Sequence, residues 1–90
     1  MRIDRFLHCV RLAKSRTLAQ ALIATGHLRI DGRRVEKASE TVRVGSVVAI
    51  PFRGRSRVFR VRLLPGRRGP PAEARLCYEE VGVDGPSAAT

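Results

Sequence analysis

Sixteen arginines and two lysines are the side chains of this sequence best suited to chemistry, and the chemistry they offer is the capture of phosphate. Arg11, Lys14 and Arg16 lie within six residues of one another. Arg33, Arg34 and Lys37 follow directly after Asp31-Gly32. A guanidinium can hold phosphate through two parallel N–H bonds and can stack on a base, neither of which an ammonium does. The plainer alternative is a solvated charged face, but few acidic residues are interspersed to support it.

Other chemistries find less support. His8 and Cys9 are neighbours, which on a helix points them about 100° apart, so they make neither a ligand pair nor an activated thiol. Ser15 has no base near it in sequence. Asp4 would be an acid without a catalytic domain around it. Gly54, Gly66 and Gly69 stand beside Arg and Pro and are not followed by Lys-Ser or Lys-Thr, so no phosphate-cradling loop is present. The sequence thus points to a binding protein: no catalytic residue, no metal ligand and no cofactor is expected, and the chain is read as not an enzyme.

The elements that must position these cations are legible in order. Ile3, Phe6, Leu7 and Val10 have helical spacing and predict a first helix over 4–10, with Asp4 as its N-cap. Ser15 stands where the N-cap of a second helix belongs. Leu18, Ala19, Leu22 and Ile23 fall on one side of that helix, and Gly26 stops it. Leu28 and Ile30 alternate with His27 and Arg29, Asp31-Gly32 is a two-residue hairpin turn, and Val35 returns. Val47 to Phe52 predicts a strand, 53–57 a basic turn, and Val58 to Leu64 the last strand. There Phe59, Val61 and Leu63 point one way and Arg60 and Arg62 the other. Residues 65–71 read as a Pro/Gly loop, 72–81 as a short C-terminal helix, and 82–90 as a frayed tail. The expected division is therefore 1–64 as the binding domain with its sheet, then 65–81, then 82–90.

Charge locates the partner. The 90 residues carry a net +10, with 15 basic and 4 acidic residues in 1–62 and 3 basic and 4 acidic in 63–90. A balance this basic suggests a polyanion, most often nucleic acid, bound by the first two thirds. Aromatic residues number four, and Phe6 and Phe59 fit apolar core faces better than a base-stacking platform, which points to folded RNA read by shape and backbone. No long apolar stretch or leader-like segment is seen, and Cys9 and Cys77 are read as reduced thiols, so a cytoplasmic protein is expected.

From Arg2-Ile3-Asp4-Arg5-Phe6-Leu7 through Arg11 and Ser15-Arg16 to Ala19, Leu22-Ile23, Gly26 and Ile30-Asp31-Gly32, residues 1 to about 50 resemble the S-four domain, the αL RNA-binding motif of ribosomal small-subunit protein four. The further basic strand and the Pro-Ala-Glu-Ala-Arg-Leu-Cys-Tyr-Glu-Glu segment look like the fifteen-kilodalton heat-shock family and the related ribosome-associated quality-control factor. Asp31 departs from the usual Asn, and Phe6 and His8 stand where heat-shock members carry tryptophan. The resemblance implies an α+β fold, two packed helices against a small, mostly antiparallel sheet, with a short C-terminal helix. It also implies binding of structured ribosomal RNA on the large subunit, in rescue of stalled subunits that carry peptidyl-tRNA. A protein monomeric when free and without a membrane partner is expected. The positions it carries over are Arg5, Arg11, Lys14, Ser15, Arg16, Arg33 and Lys37, to which the charge pattern adds Arg34. Arg53, Arg55, Arg57, Arg60 and Arg62 form a supplementary basic set. The alternatives are a sequence-independent DNA-binding protein and an RNA-targeting subunit of a modifying enzyme.

Overall fold

The second helix is delimited by its own sequence. Ser15 is extended and its hydroxyl oxygen accepts from the Leu18 N–H at 3.1 Å, opening α2 at Arg16–Ala24. Gly26 takes a φ of 79° just past the end and donates to the Ile23 carbonyl. The Thr25 hydroxyl donates to Leu22 O at 2.6 Å and accepts from the His27 N–H, so a side chain relays the bond that would otherwise close the helix end. Of the apolar side, Ala19 and Ile23 are buried and Leu22 half-buried, but Leu18 is 49% exposed.

In the computed structural model, which describes residues 1–84, α1 spans Ile3–Cys9. Its N-cap is Arg2, not Asp4, and no side chain caps it. Asp4 is the second residue of the helix, buried, and its carboxylate accepts side-chain donors from Arg2, Arg16 and Gln20 as well as the Arg5 N–H of the first turn. At the other end Arg11 adopts a left-handed φ of 64°. The Arg11 N–H donates to His8 O and the Leu12 N–H to Leu7 O at 3.0 Å, which is a Schellman closure with arginine where glycine is usual. This reversal lets α1 and α2 pack together after a short join.

Strands β1 (Arg29–Ile30) and β2 (Arg33–Arg34) form the hairpin. Asp31 and Gly32 have φ of 52° and 80°, as a type I′ turn requires. Asp31 also accepts from the Val47 N–H at 2.9 Å through Oδ1, while its own N–H donates to Val47 O. A carboxylate at this position thus ties the turn to the next strand. β3 (Val47–Phe52) and β4 (Arg55–Val61) reverse at Arg53-Gly54, so β4 starts three residues earlier than the spacing predicts and ends before Leu63, which is 54% exposed.

The C-terminal segment is the main correction. α3 is only Pro71–Arg75, and Tyr78–Asp84 is a strand, β5, not the second half of a helix. Without this segment one edge of β4 would be unpaired, and Glu79 and Glu80 meet Arg60 and Arg57 of β4 because the segment is extended. Val81 is the extra residue at a bulge, which disguises the strand alternation. Gly82–Asp84 belong to β5, and the rest of the segment read as a frayed tail lies outside the described residues. The result is an α+β fold whose single sheet runs β2-β1-β3-β4-β5 with every pair antiparallel. One apolar cluster joins Ile3, Phe6, Leu7 and Val10 of the first helical segment to Leu28, Ile30, Val48, Phe59 and Val61 of the sheet region.

Gly32→Val is expected to lower stability by about 1–2 kcal/mol, because a β-branched residue resists the left-handed region. For a domain of this size that is a fall in Tm of roughly 5–15 °C. An unchanged melting curve would show that the turn does not constrain the hairpin.

Candidate nucleic-acid interface

Asp4 is the hub of the helix pair. Its side chain is fully buried, yet Oδ1 and Oδ2 accept from Arg2 at 3.1 and 3.2 Å, Oδ2 from Arg16 at 3.0 Å and from Gln20 at 3.2 Å, and Oδ1 from the Arg5 N–H at 2.8 Å. Burial by itself would raise the carboxyl pKa. The hydrogen bonds from Arg2, Gln20, Arg16 and the Arg5 backbone outweigh it and lower the value from 3.8 to about 2. Asp4 therefore stays ionised and locks α1 to the first and second turns of α2.

This placement divides the expected site residues by duty. Arg16 is held by Asp4. The Ser15 oxygen is occupied as a cap. Arg5 donates from Nη2 to Gly66 O at 2.9 Å, and Arg11 from Nε to Gly69 O at 2.7 Å. Arg33 pairs with Glu40 at 2.7 Å. Glu40 also accepts from the N–H groups of Glu36 and Lys37, and its pKa is lowered first by the Glu36 backbone bond and then by Arg33. The side chains of Lys14, Arg34 and Lys37 are exposed and their charged groups enter none of the hydrogen bonds or ion pairs of the described residues. Arg11 and Arg16 thus also have structural contacts, to the Gly69 carbonyl and to the Asp4 carboxylate.

The supplementary arginines do not share one face. Arg57 lies over the Phe59 ring at 4.9 Å and pairs with Glu80 at 3.0 Å, and that hydrogen bond raises its pKa. Arg60 and Arg62 point the other way and converge on Glu79 at 3.4 and 2.6 Å. Arg55 opens β4 and Arg53 sits in the turn before it. The partners Arg2 and Gln20 were not singled out by spacing. The signal that points to Arg2 is Asp4 itself, an acid inside an apolar helical stretch with a basic residue two positions away; Gln20, sixteen positions away, carries no such signal. Cys9 and Cys77 are both free and buried, and burial pushes the Cys77 thiol up.

With two helices and a hairpin arranged in this way, the family model of the S4 domain matches residues 1–48, more than half of the chain. The chain belongs to the S4 domain family. S4 domains are RNA-binding modules, and the remaining residues complete β3 and append β4, α3 and β5 to this one. Similar proteins fall in two groups. Small ribosomal subunit protein uS4 of Chloroflexus aurantiacus is 36% identical over 58 residues, 64% of this chain and 28% of that protein. Heat shock protein 15 of Escherichia coli is 31% identical over 80 residues, 89% of this chain and 59% of that protein. The chain therefore spans less than two thirds of the curated relatives it matches. Among solved structures, trimeric heat shock protein 15 of Vibrio cholerae superposes with a TM-score of 0.83 at 25% identity, over 90% of this chain and 81% of that one. The likeness to heat shock protein 15 thus extends past the S4 domain into the appended strands.

A folded-state pKa below the unfolded one means that the Asp4 contribution is complete above pH about 4 and is lost as the pH falls toward about 2. Asp4→Asn is expected to cost roughly 2–3 kcal/mol at pH 7. It should also flatten the stability profile between those two pH values. Thermal melts of parent and variant across that range check both; parallel profiles would assign the acid sensitivity to another group.

Proposed function

We propose that this S4 domain binds structured ribosomal RNA, as a non-enzymatic factor acting on the large ribosomal subunit in the rescue or quality control of stalled subunits that carry peptidyl-tRNA. It works in the cytoplasm and is a monomer when free. The observation that carries this reading is a set of exposed cations without carboxylate partners, Lys14 beside the start of α2, Arg34 on β2 and Lys37 just beyond it, on the framework of an RNA-binding domain. The start of α2 adds free N–H groups and the positive end of a helix dipole, which favours a phosphate beside Lys14. Arg5, Arg11, Arg16 and Arg33 each spend part of a guanidinium within the protein and keep other N–H groups for RNA. The subunit assignment leans on the likeness to heat shock protein 15, which covers more of this chain than the likeness to uS4 does.

Replacing Lys14, Arg34 and Lys37 together with Gln should leave the melting curve nearly unchanged, since exposed unpaired residues contribute within about ±0.5 kcal/mol. Binding to purified large subunits should weaken, and the slope of log affinity against log salt should become shallower by roughly 2–3 units. Equal affinity and slope in the folded variant would remove these residues from the interface. Preferential binding to small subunits would overturn the subunit assignment and favour a role nearer to uS4.

A further inference from the structure

The loop 64–70 lies outside the S4 match, yet it is fastened to the first helical segment of that domain from both sides. Arg5 and Arg11 donate to the carbonyls of Gly66 and Gly69, and Arg68 returns a bond from Nε to His8 O at 3.1 Å. Gly69 is buried beneath this latch. Arg67 is left pointing outward, its side chain 72% exposed. Among the described residues its carboxylate neighbour is Glu73, at 3.6 Å, an ion pair too long for a hydrogen bond.

We propose that Arg67 is a further phosphate-binding residue, and that the latched loop is a second arm of the RNA interface; the inference rests on the RNA-binding reading above. Two of the three basic residues in 63–90, Arg67 and Arg68, stand in this loop, and Arg68 is one of the three arginines that fasten it. The fastening fixes the backbone before RNA arrives, so Arg67 is presented without the ordering cost of a loose loop. The pair with Glu73 is exposed and weak. A phosphodiester offers Arg67 a bidentate, charge-assisted partner in its place. Glu73 thus acts as a placeholder that RNA displaces.

The test is a salt titration of binding to purified large ribosomal subunits with Arg67→Gln, Glu73→Gln and the double variant, each checked by thermal melting. Arg67→Gln should melt like the parent, bind several-fold more weakly, and show a salt slope shallower by about 0.7–0.9 unit, the value for one lost phosphate contact. Glu73→Gln should bind more tightly, and that gain should vanish when Arg67 is also replaced, because the two residues act through one contact. An Arg67→Gln variant with the parent's affinity and slope overturns the proposal; if the Lys14, Arg34 and Lys37 triple variant is still impaired, the RNA-binding reading stands without the loop. A lowered Tm with an unchanged slope would give Arg67 a structural duty and also overturn it. No binding by the parent removes both.

Discussion

The carboxylate of Asp4 is the charge on which the helix pair depends. Taking an ionised group out of water is costly and is tolerated only where donors surround it. Here two guanidiniums, one carboxamide and one backbone N–H do so. The donors come from both helices and from the residue before the first, so satisfying the charge also fixes how the helices meet. Arg2 and Arg16 are themselves about half exposed, which leaves their other N–H groups in water. The network is therefore both a structural clamp and part of the basic surface.

A similar dual use recurs at Arg11. Its left-handed backbone closes α1, a conformation that costs a non-glycine residue roughly 1–2 kcal/mol. Glycine would close the helix at lower cost but could not reach the Gly69 carbonyl. The side-chain bond thus gives a reason for arginine at a position that favours glycine. It also connects the S4 domain to the loop between β4 and α3, so the appended elements are coupled to the helices through side chains as well as through the sheet.

Local chemistry carried most of the fold. Ser15, Gly26 and the Asp31-Gly32 turn are signals that act within a few residues, and each operates in the structure as its type dictates. What was not legible depended on distant partners. Asp4 looked like a cap because aspartate caps helices, and only the packing of α2 against α1 makes its inward rotamer favourable. Tyr78–Asp84 looked helical because its alternation is broken at Val81, and its strand identity comes from the open edge of β4 and from Arg57, Arg60 and Arg62. The cations were visible as a class. Which of them have internal partners was not, since Gly66 O, Gly69 O and Glu79 are brought to them only by the tertiary fold.

This distinction changes how the net charge should be read. A formal +10 suggests a long polyanion footprint, but the arginines facing Asp4, Glu40, Glu79, Glu80 and Glu73 already have carboxylate neighbours. Exposed pairs of this kind are worth little and exchange readily, so on the proposed reading Arg33, Arg60 and Arg62 are still available to a phosphate partner. They do, however, enter the association with part of their field cancelled, and breaking the pair offsets part of each new contact. Arg16 is different, because its acid partner is buried and cannot be re-solvated when RNA binds. On the proposed RNA-binding reading, the cations without a carboxylate neighbour, Lys14, Arg34 and Lys37 among them, attract phosphate with their full field, while Arg16 and Arg11 also hold the surface that carries Lys14 in one shape.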